Sequence, residues 1–100
     1  MLHVIWEFVV PPDKVNDFER HYAGNGTWAQ FFRQDPAYQG TVLVRDRDKP
    51  GHYLTADKWA DFTSYERFKS ANQARYKEID AGFEALTSSE RLIGHFEELA

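Results

Sequence analysis

Alternating apolar and polar positions mark the β-strands of this chain. In the first run, Val4, Trp6 and Phe8 share one face, and Pro11-Pro12 ends the run because neither proline donates a ladder hydrogen bond. Two later runs are joined by a five-residue connector containing Pro-Gly, which is typical of a hairpin. The predicted strands are Leu2–Val10, Tyr38–Asp46, His52–Trp59 and Arg91–Leu99.

Helical spacing of apolar residues fills the two long intervals between strands. The first interval predicts a helix carrying Val15, Phe18 and Tyr22, which the turn residues 24–26 interrupt. Thr27 is then expected to cap a second short helix, Trp28–Gln34, which ends before Asp35-Pro36.

The second interval predicts a longer helix that begins at Asp61 or Thr63. Phe62, Tyr65 and Phe68 follow at three-residue steps, after which the apolar pattern changes phase. We therefore expect the helix to bend or split near Asn72.

The element order β-α-β-β-α-β over residues 1–100 predicts a single domain with a ferredoxin-like α+β fold. In that fold, a four-stranded antiparallel sheet carries its helices on one face. Ile5 and Val9 make the other face apolar, so we expect a second copy to cover it in a homodimer. His3 and His95 are expected on that dimer face.

Composition narrows the class of protein. Sixteen of the 100 residues are aromatic, which lets a short chain build a substantial core. The net charge of -4 and the absence of a basic stripe argue against nucleic-acid binding, and no apolar run approaches membrane-spanning length. A cytoplasmic protein is expected, with no metal site: Asp46, Asp48 and Asp57 are assigned to the hairpin region and do not converge.

Three local patterns, in order along the chain, resemble the antibiotic-biosynthesis-monooxygenase family of dimeric α+β barrels. The first is the Pro turn of residues 8–13, before an acidic helix. The second is Asp35-Pro-Ala-Tyr-Gln-Gly40, similar to the family's entry to its second strand. The third is Trp59 at the end of strand three, followed six residues later by Tyr65.

The resemblance implies a pocket between sheet and helices and a choice between two kinds of chemistry. The haem-degrading branch has a helical His that would lie between Trp59 and Gly94 here, an Asn on the first strand, and a Trp in the helix after strand three. This chain lacks all three, with Phe68 at the Trp position, so no haem or other cofactor is expected. The cofactor-free branch is matched by Trp59 and Tyr65, although Thr55 stands where that branch has Asn.

These considerations favour a cofactor-independent monooxygenase acting on a small aromatic or quinol-like compound. Tyr65 and His21 are the predicted catalytic residues, although a surface histidine and plain core packing are the alternatives. The predicted substrate-binding residues are Trp6, Phe8, Trp28, Phe31, Phe32, Thr55, Trp59 and Phe68.

Two other functions remain open at this stage. One is a non-catalytic small-molecule binder, and the other is an accessory protein whose dimer face is its main feature. An enzyme requires a titratable group inside the cavity, a binder requires only walls, and the accessory protein requires a cavity filled by its own side chains.

Overall fold

A computed structural model describes all 100 residues, Met1–Ala100, and confirms the predicted α+β ferredoxin-like fold. One sheet carries four antiparallel strands in the order β2-β3-β1-β4. The strands are β1 (Leu2–Val9), β2 (Tyr38–Arg45), β3 (His52–Trp59) and β4 (Ser89–Glu97). The helices are α1 (Val15–Tyr22), α2 (Thr27–Phe32), α3 (Phe62–Ala71) and α4 (Gln73–Phe83), with short 3-10 turns at Pro12–Lys14 and Glu84–Leu86.

The predicted strand boundaries agree with the structure to within two residues. β3 begins and ends at the predicted residues, whereas β4 starts at Ser89, two residues before the predicted Arg91. The register of β4 against β1 shifts between Ile5 and Trp6, and that of β2 against β3 shifts at Tyr38/Gly40. Gly40 has a φ of +113° at the second irregularity, a conformation that glycine adopts without steric cost.

Side-chain hydrogen bonds define both ends of α3, whereas α1, α2 and α4 begin without a side-chain cap. Asp61 caps α3 by accepting a hydrogen bond from the Ser64 amide at 2.7 Å, and Asn72 separates α3 from α4 with a non-helical backbone, as predicted. The capping role expected of Thr27 is wrong. Gly26 is the N-cap of α2, and the Thr27 hydroxyl instead bonds His21 Nδ1 at 2.8 Å.

The core lies between the helices and one face of the sheet and is mainly aromatic. Phe18 of α1 and Trp59 of β3 are fully buried, and Phe32 of α2 packs edge-on against Trp59 with ring centroids 5.6 Å apart. The position expected for His95 is wrong. It pairs with Val4 on the helix-covered face and contacts Phe62 of α3, because the shifted register of β4 turns it inward.

The opposite face of the sheet is apolar and uncovered. Leu54 is 39% exposed, Phe96 46%, and Val42 and Val44 47% each. An ion pair between Arg91 and Glu7 at 3.1 Å occupies the β1–β4 side. None of the helices is both long enough and apolar enough to cross a bilayer.

Candidate functional site

A cavity of about 220 Å³ lies between the inner face of the sheet and helices α1 to α4. A dry cavity of about 150 Å³ holds a benzene ring, so this one has room for one substituted ring. It is therefore not filled by its own side chains. Its lining residues are Trp6, Phe8, Tyr22, Trp28, Phe32, Thr41, Thr55, Asp57, Lys69, Tyr76, Asp80 and Glu90.

Aromatic rings form most of the cavity wall. The Phe8 ring contacts Tyr22 edge-on at 5.1 Å, and the Trp28 ring lies 5.0 Å from that of Tyr76. These rings come from β1, α1, α2 and α4, so four elements build the wall. Such packed faces accept a flat ring by stacking or edge contacts.

Asp57 is the buried acid of the cavity. It lies on the inner face of β3, between Thr55 and Trp59, and its Oδ1 accepts a hydrogen bond from the Thr41 hydroxyl at 2.6 Å. The other carboxyl oxygen makes no hydrogen bond within the protein. Burial raises the pKa of Asp57 from 3.8 to about 6, and the Thr41 hydrogen bond opposes that rise. A carboxyl in this range can accept or donate a proton near neutral pH.

A short hydrogen-bond chain orients this carboxyl. The Thr41 hydroxyl has one proton, which it donates to Asp57. The bond between the Thr41 and Tyr38 hydroxyls must therefore have Tyr38 as donor. The chain fixes Oδ1, so the free oxygen stays available to a molecule in the cavity.

Lys69 of α3 is the only cationic side chain in the lining. Its Nζ lies 5.2 Å from the ring centroids of both Tyr65 and Tyr76, within cation–π range. The pKa of the Tyr76 phenol is nevertheless raised, first by burial and then by nearby groups that include Asp80 and Asp57.

Two further carboxylates, Asp80 of α4 and Glu90 of β4, belong to the cavity lining on its exposed side. The pKa of Glu90 is raised, chiefly by burial and then by the charges of Asp80 and Glu84. With Asp57, the lining thus holds three acidic groups against one lysine.

Five of the predicted site residues line the cavity: Trp6, Phe8, Trp28, Phe32 and Thr55. The other five are Phe31, Trp59, Phe68, Tyr65 and His21, and they are not among the lining residues. Phe31, Trp59 and Phe68 belong to the buried core behind the cavity.

The two residues predicted to be catalytic lie in the surrounding packing. Tyr65 is buried against the Trp59 ring at 5.7 Å, and burial, followed by the charge of Asp57, raises its pKa to about 12. The His21 ring packs at a tilt against Phe83, with centroids 4.4 Å apart, and its Nδ1 is hydrogen-bonded to the Thr27 hydroxyl. Neither group touches the cavity as it stands, and their catalytic roles stay predictions.

Sequence reasoning missed Asp57 even though a signal was present. Positions 53, 55, 57 and 59 alternate on β3, and both ends of that row are aromatic. A charged residue on an otherwise buried face marks a site. Assigning Asp57 to the hairpin region discarded that information.

Comparison with known proteins identifies a family and a shared fold. A family model described as antibiotic biosynthesis monooxygenase matches residues 1–78. SnoaB, a cofactor-independent oxygenase from Streptomyces nogalater, is similar at 22% identity and a TM-score of 0.72, covering 99% of this chain and 93% of SnoaB.

Two further solved structures share the fold. A putative antibiotic biosynthesis monooxygenase from Deinococcus radiodurans matches at 17% identity and a TM-score of 0.76, covering 100% of this chain and 94% of its own. PA3566 from Pseudomonas aeruginosa matches at 20% identity and a TM-score of 0.69, covering 99% of this chain and 94% of PA3566. No curated protein matches the chain in sequence.

Proposed function

The chain belongs to the antibiotic biosynthesis monooxygenase family, and from this premise we propose that it is a cofactor-independent monooxygenase acting on a small aromatic or quinol-like compound. The cavity between sheet and helices is the proposed substrate site. Its volume of about 220 Å³ favours a single-ring hydroquinone or phenol over larger ring systems.

One observation carries the proposal: a buried carboxyl with a free oxygen lines an aromatic cavity. Asp57 has a pKa of about 6, so at neutral pH it is mostly ionised and ready to accept a proton. It meets the requirement for a titratable group that separates an enzyme from a simple binder.

The reaction balances with dioxygen as the sole oxidant. Asp57 takes the phenolic proton, and the resulting anion gives one electron to dioxygen. The semiquinone and superoxide join through a new C–O bond, and Asp57 returns its proton to the peroxide. The O–O bond then breaks as the ring carbon loses its hydrogen, which releases water and leaves a carbonyl. One hydroquinone and one dioxygen thus give one hydroxyquinone and one water. The organic compound loses four electrons, and dioxygen gains four.

The remaining predicted residues receive roles consistent with their positions. We assign Trp6, Phe8, Trp28 and Phe32 to holding the ring plane and excluding water from the anion. Thr55 is proposed to offer its hydroxyl to the substrate from the same strand as Asp57. Phe31, Trp59 and Phe68 support the wall from behind, and Tyr65 and His21 are retained as candidates for proton handling.

Homodimerisation through the outer sheet face is part of the proposal. Val42 and Ala56 pair across β2 and β3, Val44 pairs with Leu54, and Ile5 continues the first row on β1. This apolar patch, bordered by the Arg91–Glu7 ion pair, is what one copy of the sheet requires to pack on another. Cytoplasmic location stays a prediction.

Oxygen consumption tests the reaction. Metal-stripped protein is mixed with a panel of single-ring hydroquinones, and dissolved oxygen is followed against the uncatalysed rate. We expect Asp57→Asn to lose at least about 100-fold in rate, because general-base catalysis contributes about 10²–10⁴-fold. Asp13→Asn is the matched control, since Asp13 is exposed and lies outside the cavity lining.

The same experiment ranks the proton-handling candidates. Tyr65→Phe and His21→Ala should change the rate less than Asp57→Asn does, because neither side chain lines the cavity. Full activity in Asp57→Asn, or a larger loss in His21→Ala, would overturn the assignment of Asp57.

A non-catalytic binder is the second candidate function. It is favoured by the placement of Tyr65 and His21 outside the cavity lining, which removes both residues predicted to be catalytic from the site. Quenching of tryptophan fluorescence by the hydroquinone panel without any oxygen uptake would establish it in place of the oxygenase.

A further inference from the structure

The cavity has an unbalanced charge. Asp57, Asp80 and Glu90 face one lysine, and Lys69 takes part in none of the ion pairs of the structure. The Lys69 ammonium is held over the tyrosine rings of residues 65 and 76. The carboxylates are therefore left without a cationic partner in the protein.

We propose that the cavity selects an aromatic compound that carries a protonated amine, such as an aminoalkyl hydroquinone or phenol. This inference rests on the proposed function for the identity of the site and names the substrate class that this site prefers. The ammonium group would occupy the carboxylate side of the cavity, and the ring would lie between the aromatic walls.

Asp57 differs from the other two carboxylates because it is buried, whereas Asp80 and Glu90 are exposed. The carboxyl is buried, and Thr41 satisfies only Oδ1. A buried carboxylate without full hydrogen bonding is costly, and a charge-assisted donor relieves that cost. A bound molecule that brings a donor to Oδ2, either an ammonium or a phenol O–H, supplies that partner.

Aromatic walls next to carboxylates are the arrangement that favours an ammonium. Trp28 and Tyr22 place two rings in one cavity with centroids 6.4 Å apart, whereas Tyr76 already has the Lys69 ammonium over its ring. A cation over such faces gains attraction from the ring quadrupoles, and the gain is larger where water is excluded. An anionic substituent would meet both the negative ring faces and the three carboxylates.

The Tyr22 phenol lies in the same acidic surroundings. Burial raises the pKa of Tyr22 to about 12, the polar contact with Trp28 opposes that rise, and the charges of Glu90 and Asp80 add to it. The same negative field opposes ionisation of any bound neutral phenol. A substrate ammonium offsets the field, so an aminoalkyl phenol would yield its proton more readily than an uncharged analogue.

Isothermal titration calorimetry under anaerobic conditions tests the inference. Three hydroquinones are compared that differ only in one ring substituent: 2-aminoethyl, ethyl or carboxymethyl. We expect the amine to bind at least about tenfold more tightly than the ethyl compound, equivalent to about 1.4 kcal/mol, and the carboxylate to bind most weakly.

Charge-removal variants locate the effect. Asp80→Asn combined with Glu90→Gln should lower the preference for the amine several-fold, because Asp57 is then the one carboxylate left in the lining, and affinity for the ethyl compound should stay within about twofold. Asp13→Asn combined with Glu66→Gln makes the same charge change outside the cavity lining and should retain the preference.

The outcomes separate this inference from the proposed reaction. Equal affinity for all three compounds, or no binding of any of them, would overturn it, as would an equal loss of preference in the control variant. Because binding is measured without oxygen, tighter binding of the amine without later oxygen uptake would support the inference and count against the oxygenase.

Discussion

Replacing Asp57 by asparagine should stabilise the protein, and the gain should depend on pH. The carboxyl has an ordinary pKa of 3.8, which burial raises to about 6 in the folded state. The folded protein therefore binds more protons than the unfolded chain between about pH 4 and pH 6, so this group's contribution to stability falls as the pH rises through that window.

The size of the effect follows from the pKa difference. One pKa unit corresponds to about 1.4 kcal/mol, so ionised Asp57 costs the fold about 3 kcal/mol at pH 7 and less than about 1 kcal/mol at pH 4. Asparagine keeps an acceptor oxygen for Thr41 and never ionises. A gain of this size is a large fraction of the 5–15 kcal/mol by which domains are stable.

Urea unfolding of both proteins at several values between pH 4 and pH 8 measures the difference. Glu90 also has a raised pKa, but it contributes equally to both proteins and cancels. Asp13→Asn provides the control and should show no pH-dependent gain. A stabilisation that does not change with pH, or a variant less stable than the wild type at pH 7, would refute the reasoning about Asp57.

Three further results are expected. Gly51→Ala should destabilise the fold by about 1–3 kcal/mol, because Gly51 has a φ of +80° and a Cβ there would collide with main chain. Gly82→Ala, in open space on α4, should stabilise the fold by about 0.5–1 kcal/mol. Urea unfolding measures both changes in stability. Leu54→Asp should convert the proposed dimer to monomer in analytical ultracentrifugation, whereas Gln73→Glu should not; a dimer that survives Leu54→Asp would contradict packing through the outer face. In the proposed reaction, kcat/KM should rise with pH around a midpoint of about 6, as Asp57 ionises, and a profile unchanged in Asp57→Asn would contradict that assignment.

Local patterns were sufficient to predict most of the fold. Period-two alternation located β3 to the residue, and the turn residues 24–26 divided the first helical interval. The change of apolar phase near Asn72 anticipated the break between α3 and α4. Each of these signals acts within a few residues, which is why one sequence was enough to find them.

Features that depend on contacts between different elements were harder to predict from the sequence. His95 was expected on the outer face, but the register shift between β4 and β1 turned it inward. Thr27 has the chemistry of a cap, yet His21, six residues away, engages its hydroxyl instead. Both outcomes are decided by contacts between neighbouring elements, which override the preference of each element alone.

The candidate site was half predictable for the same reason. Trp6, Phe8 and Thr55 follow from strand alternation, because the inner face of a sheet is fixed once its strands are known. Lys69 and Tyr76 join them only because α3 and α4 cross that face at a particular angle. No spacing along the chain encodes that crossing.

The residues of β3 that face the helices, at positions 53, 55, 57 and 59, explain why stability and function oppose each other at this site. Tyr53 and Trp59 anchor the two ends of the row in the core, and Thr55 and Asp57 between them face the cavity. Apolar residues in their place would stabilise the domain but remove the one buried group that can exchange a proton. A carboxyl that costs the fold about 3 kcal/mol at pH 7 persists where its ionised form has a use. The predicted stabilisation and the predicted loss of activity in Asp57→Asn therefore have a single cause.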